Sequence, residues 1–399
     1  MPRLSLAIAT FLLLIPASRA AEYTLHTFTK IRLTDKFWTE AATFGELKRD
    51  GHTDVVVGPY WHEGPYFKKR HEFYRATHTF KVKMSDGVEQ TIEGYDGALG
   101  SGQITGFGDS LFVKIVDLNG DGRPDILRVE IPTEDFGHSK TLSWYENPGQ
   151  EGLAKALMWK RHVLAEAVDN QSVDFIDLFS NGQPVLLCMS GGQVGYFKPD
   201  SIDPTRTWEF HRISWKVDEF QWYTHGLGHG DVNGDGRVDV LHSDGWWEQL
   251  KKNGDGELQF KRHLIVNKKP SENKYGIEFT EIQAVQLADI DGDDLKDIVT
   301  GKRFWGHGKC CLDPESNEAA SLYWFKQVRH HDKTVEFIPY LIDADSGTQI
   351  TVGDVNGDGR PDIVVANKKG AFVLIQNAKN VSQKEWEQAQ PPILYPDVK

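Results

Sequence analysis

The chain has three cysteines in 399 residues, Cys188, Cys310 and Cys311. So few exclude a disulfide framework, and neighbours such as Cys310 and Cys311 rarely bridge each other because the geometry is strained. One bridge from Cys188 stays open. Long apolar runs are also missing: past the first 20 residues no stretch is long and apolar enough to cross a bilayer as a helix. Positive charge is short too. Lys and Arg number 45 against 58 Asp and Glu, a formal net charge of −13. Such a chain is a poor partner for nucleic acid or an anionic membrane. No G-x-S-x-G, H-E-x-x-H, P-loop or C-x-x-C motif occurs, so no motif of nucleophilic, zinc-protease, nucleotide or thiol redox chemistry is present.

What is present at the start is an export signature. Arg3 supplies a positive n-region, and Leu4 to Ile15 is apolar apart from Ser5 and Thr10. Ser18-Arg19-Ala20 puts small residues at −3 and −1 of a cleavage point after Ala20. Residues 1–20 are expected to be a signal peptide. The mature protein is then secreted or periplasmic, with no membrane insertion.

The strongest signal is an internal repeat. Asp117-Leu118-Asn119-Gly120-Asp121-Gly122-Arg123-Pro124-Asp125 recurs with the same spacing at Asp231, Asn233, Asp235, Arg237 and Asp239, and again at Asp354, Asn356, Asp358, Arg360 and Asp362. A fourth copy, Asp289, Asp291, Asp293, Leu295 and Asp297, has Asp294 in place of the second Gly. Side-chain oxygens at positions 1, 3, 5 and 9 and a backbone carbonyl at 7 can wrap one hard cation, and Gly at 6 permits the sharp turn. Calcium is the expected ion, at about four sites. An EF-hand would need a Glu at position 12, where this chain has Arg128, His242, Thr300 and Val365. The residues after position 9, such as Ile126-Leu127 and Ile363-Val364-Val365, favour strands. Two degenerate copies begin at Glu46 and Asp177. Lys48 at position 3 of the first could supply the cation's charge internally, and no tight ion is expected at either.

Two further elements recur. Aromatic-x-x-His-x-aliphatic appears as Trp159…His162, Trp208…His211 and Phe260…His263, with Phe337…Tyr340 as a variant. Their equivalent positions favour a structural role for these histidines. Aromatic strands such as Ser143-Trp144-Tyr145 and Tyr323-Trp324-Phe325 follow most loops. Each unit therefore reads as inner strand, Asp loop, second strand, turn, third strand, fourth strand, which is a four-stranded propeller blade. Loops start 54 to 71 residues apart. The expected fold is an all-β propeller over residues 21–380, followed by a C-terminal tail, 381–399. Six blades tile the chain; seven is the alternative and needs a blade without a marker. The strand near Tyr23 to Phe28 is expected to complete the last blade and so leave no free sheet edge.

The four full loops and the blade pattern resemble FG-GAP/VCBS repeats, the calcium-loop propeller repeats of integrin α-chains and of many secreted bacterial proteins. Segments such as Gly58-Pro59-Tyr60-Trp61 and Gly301-Lys302-Arg303-Phe304-Trp305 resemble secreted propellers common in planctomycete-type bacteria. There is also a distant resemblance to the propeller of aldos-2-ulose dehydratase, which implies a lyase acting on keto-sugars. By analogy with propellers, ligands bind on the face opposite the loops or in the central channel. On that face the turns hold Tyr60, Trp61 and His62, then Lys302, Arg303, Trp305 and His307, then Lys368 and Lys369. Inner-strand entries add Tyr223, His225 and His229, and Glu281 with Gln283. Aromatic platforms with cations and amides suit a sugar. The leading expectation is a carbohydrate-binding module. A dehydratase using His225, His229, Lys302, Arg303 or His307 for proton transfer and enolate stabilisation is the second. A scaffold for an extracellular protein is the third.

Overall fold

Between the Asp loops the chain is rich in Val, Ile, Leu and aromatic residues, and in the computed structural model these segments are strands, mostly buried on both faces. The structure describes residues 23–76, 79–83, 87–93, 108–131, 140–169, 173–212, 226–242, 245–251, 260–264, 274–277, 282–302, 320–331 and 335–397. The expected signal peptide lies outside them.

Among the described residues the chain is all-β, with two short helices, Gly149–Ala154 and Gln383–Gln388. Four-stranded antiparallel units follow one another. Unit one comprises Ala42–Gly45, Asp54–Val57, Tyr60–His62 and Arg70–Glu72. Unit two comprises Ser110–Val116, Asp125–Glu130, Thr141–Glu146 and Lys160–Glu166. Unit three comprises Asp174–Ile176, Val185–Ser190, Gln193–Lys198 and Glu209–Arg212. Unit four (Leu227–Gly230, Asp239–His242, Gly245–Gln249, Phe260–Leu264) and unit five (Ile282–Ala288, Asp297–Lys302, Ser321–Arg329, Val335–Asp343) share one sheet. It is joined by a parallel contact of their inner strands, Leu227 with Ala284 and Gly228 with Val285. Unit six has Gln349–Gly353, Asp362–Asn367 and Gly370–Val381, and its outer strand is the N-terminal segment Tyr23–Thr34, paired from Tyr23 with Val381 to Thr34 with Ala371. These sheets are consistent with a β-propeller. A hairpin, Thr79–Lys83 with Glu89–Glu93, lies between units one and two, in the longest interval between loops.

The core is the set of faces between neighbouring units. Trp144, Leu164, Phe175, Leu186 and Cys188 pack together between units two and three. Cys188 is a free, buried thiol whose pKa burial pushes well up, so it serves as a small apolar side chain. Val299, Trp324, Ile363 and Phe372 fill the space between units five and six.

Neighbouring inner strands are also tied by polar groups. Glu40 N–H donates to Ser110 O at 3.0 Å between units one and two. Lys114 Nζ lies 3.9 Å from Asp174 Oδ1 between two and three, and His229 Nδ1 lies 2.9 Å from Asp174 Oδ2 between three and four. Val352 N–H donates to Gln286 Oε1 at 2.8 Å between five and six, and Thr351 Oγ1 donates to Ala42 O at 2.8 Å between six and one.

The C-terminal tail packs over units six and five. Ser382 and Glu385 form a capping box that starts the helix Gln383–Gln388. Trp386 meets Tyr23 at 5.5 Å, and Tyr340 Oη donates to Gln390 Oε1 at 2.5 Å. Leu394 and Tyr395 N–H groups then donate to Lys274 O at 2.8 and 2.9 Å.

Candidate metal centre and central channel

Each Asp loop joins an inner strand to a second strand, and all of the loops adopt one backbone shape. Positions 4 and 6 have positive φ in each: Gly120 and Gly122, Gly234 and Gly236, Gly357 and Gly359, Gly292 and Asp294, Ser180 and Gly182, Arg49 and Gly51. Asp294 at φ 67° takes a left-handed conformation that Asp tolerates better than most side chains. The first residue holds this shape. Asp354 Oδ1 accepts from Asp358 N–H at 3.1 Å and Oδ2 from Gly359 N–H at 2.8 Å. Asp117, Asp231, Asp289 and Asp177 do the same in their loops. The two degenerate copies thus keep the turn while losing cation ligands.

Position 9 is a buried clamp. Asp362 Oδ2 accepts from Val355 N–H at 3.0 Å and Oδ1 from Gln376 N–H at 2.8 Å. Asp125 bonds Leu118 and Asn147, Asp239 bonds Val232 and Gln249, Asp297 bonds Ile290 and Gln327, and Asp54 bonds Leu47 and Gly64 in the same way. Each of these carboxylates ties a loop to the end of its third strand. The same third-strand ends reach the previous unit. Asn147 Nδ2 donates to Leu47 O at 3.3 Å, Gln327 Nε2 to Val232 O at 3.1 Å, and Gln376 Nε2 to Ile290 O at 2.6 Å. The sequence reading gave position 9 to the cation alone; its structural load was missed, although its hydrophobic flanks signal burial.

The donor set fits a hard cation. In loop 289–297, carboxylate oxygens of Asp289, Asp291 and Asp297 lie within 4.8 Å of one another and Asp291 Oδ1 is buried with no hydrogen-bond partner, but the Lys326 ammonium already sits on Asp291 Oδ2 and Asp293 Oδ2. Loops 117–125, 231–239 and 354–362 carry Asn119, Asn233 and Asn356 at position 3 instead. In those loops the position 7 side chain folds back onto position 5: Arg123 pairs with Asp121, Arg237 with Asp235, and Arg360 Nη2 with Asp358 Oδ2 at 2.5 Å. Oxygen-only donors of this kind suit calcium over a softer metal. In unit one, Lys48 Nζ lies 2.8 Å from Asp50 Oδ2, as expected of an internal cation.

The recurring histidines pack. His71 stacks on Trp61 at 4.2 Å, His162 on Trp144 at 4.5 Å, His211 on Tyr196 at 5.1 Å and His263 on Trp246 at 4.3 Å; Tyr340 stacks on Trp324 at 4.7 Å. Each of three then reaches a Glu two residues past its Trp: His71 to Glu63, His162 to Glu146, His263 to Glu248.

Residues from the inner strand of each unit line one pocket, with Ala42, Lys114, Asp174, Leu227, Gln286 and Thr351 among its walls. Burial would raise the Asp174 carboxyl, but His229 and Lys114 more than offset this and hold it below the usual carboxylate range. The space at this level takes little more than a water molecule. Of this trio the sequence reading had only His229. Lys114 and Asp174 lie three residues before their loops, as do Thr43, Gln286 and Thr351. Aligning the units on their loops exposes this polar tier in otherwise apolar strands.

The remaining candidates divide. Trp61 is 2% exposed beneath His71, and His62 is buried with Nδ1 3.2 Å from Phe67 O. Both are packing positions here. Tyr60 is half-buried, with the Arg70 guanidinium 4.3 Å over its ring. Lys302 and Lys368 are buried, and Lys369 pairs with Asp345. Tyr223, His225, Glu281, Arg303, Trp305 and His307 lie outside the described residues, as does the side chain of Gln283.

Residues 346–374 match the FG-GAP repeat model. That segment spans the inner strand, Asp loop and second strand of unit six. No curated protein matches the chain. The comparisons lend no support to the resemblance to aldos-2-ulose dehydratase.

Proposed function

We propose that the chain is an exported propeller of six four-stranded blades. The N-terminal strand closes the ring, calcium in the Asp loops stiffens it, and a ligand, carbohydrate first, binds on the face away from those loops. The observation that carries this reading is the sequence of polar and backbone ties between inner strands, which runs from unit one to unit six and returns through Thr351 to Ala42. A direct bond between units six and one supports six blades over seven. The shared direction of the loops supports the second half: every loop ends an inner strand, so metal chemistry and ligand chemistry belong to opposite ends. The small space at Lys114 and Asp174 favours a ligand outside this pocket over one within it.

The ligand reading is tested by screening the mature protein, in calcium, against an array of neutral and acidic oligosaccharides. Retention of at least one glycan class is expected. Silence across the array removes the carbohydrate assignment and leaves the fold untouched. Mass spectrometry of exported protein should find Ala21 as the first residue; an intact N-terminus would overturn the cleavage reading.

A further inference from the structure

Loop 289–297 holds five aspartates in nine residues, more acid than any other loop. Its neighbour on the third strand is unusual. The residue just before the Gln327 N–H that Asp297 accepts is Lys326. The equivalent residues of units one, two, four and six are Glu63, Glu146, Glu248 and Ile375. Glu248 turns its carboxylate toward loop Asn233, at 3.4 Å. Lys326 instead sends its ammonium between the ligand positions: it pairs with Asp291 Oδ2 and lies 2.9 Å from Asp293 Oδ2. Unit one reaches the same end by another route, with Lys48 inside its own loop against Asp50 and, at 3.6 Å, Glu63.

We infer that Lys326 is a tethered cation that takes the place of calcium in loop 289–297, so this loop keeps its shape without an ion. The inference rests on the calcium reading of the other loops. An ammonium hydrogen-bonded to positions 3 and 5 uses the oxygens that a dication needs, and like charges exclude each other at such range.

The test counts ions. Protein equilibrated with calcium and freed of excess is assayed for bound metal, with calorimetric titration for affinity. Lys326→Gln is expected to bind one more calcium ion per chain than wild type. Asp291→Asn in the wild-type background should leave the wild-type count unchanged, and it stands independently should Lys326→Gln fold poorly. Equal counts in wild type and Lys326→Gln, or loss of an ion in Asp291→Asn, would overturn the assignment while sparing calcium elsewhere. No bound calcium in any of these proteins would overturn both readings.

Discussion

Units five and six carry loops of one spacing and one backbone shape, and differ in what meets them. In unit six the third strand offers Ile375 next to the loop and the outer strand comes from the N-terminus; in unit five it offers Lys326 and the outer strand is continuous with the unit. Both position 9 aspartates are wholly buried and make the same two backbone bonds. The comparison separates two jobs that one motif would otherwise confound. Positions 1, 4, 6 and 9 make the turn, while positions 3 and 5, with the strand alongside, set the charge that a cation would meet.

The largest break between the two units is expected at the outer strand. Deleting residues 23–34 strips the strand Gly370–Val381 of its outer partner from Ala371 to Val381, and the account predicts no cooperatively folded protein by circular dichroism melting. A folded, monomeric deletion variant would remove the N-terminal strand from the ring.

Next in size is the clamp. Asp362→Ala leaves the Val355 and Gln376 N–H groups without acceptors, a cost of about 2–6 kcal/mol at roughly 1–3 kcal/mol per buried group. Asp297→Ala should cost a similar amount, because the clamp is the same in both units. Urea unfolding in EDTA measures this without metal. A clear inequality between the two variants would show that the clamp is not common to them.

The turn itself comes third. Gly359 has φ 83° with nothing within 4 Å of an added Cβ, so Gly359→Ala carries only the left-handed penalty, about 1–2 kcal/mol. Asp294→Gly in unit five relieves the same strain and should stabilise by less than about 1 kcal/mol. Chevron or equilibrium unfolding of the pair gives opposite signs if the loops share one backbone.

A further effect is electrostatic, confined to a pH window, and sits in unit one. Burial raises the Asp54 carboxyl from 3.8 to about 6, against the pull of its backbone donors. The unfolded chain then releases its proton first. This carboxyl's contribution to stability falls as pH rises from about 4 to about 6 and is flat outside that window. Asp54→Asn should remove this component of the slope in urea midpoints measured across that range; an unchanged slope would contradict it.

Much of the fold was legible because its markers are local. Asp loops at regular intervals, β-branched flanks and Trp-x-x-His segments each report within a dozen residues, and Tyr23 to Phe28 announced itself as a spare strand. The candidate site was less legible because its parts come from different units. Lys114, Asp174 and His229 meet only when three inner strands converge. Lys326 reaches Asp291 from a strand 35 residues along. The tail's path over Tyr340 and Lys274 rests on single hydrogen bonds and one aromatic contact that no periodicity encodes.

The central claim is that calcium in the Asp loops holds the propeller together. At calcium about 100 times the dissociation constant each occupied loop adds roughly 2.7 kcal/mol. Thermal melting of the mature protein should therefore show a midpoint that rises by many degrees from EDTA to excess calcium and that magnesium does not reproduce. A midpoint unmoved by calcium would contradict the account.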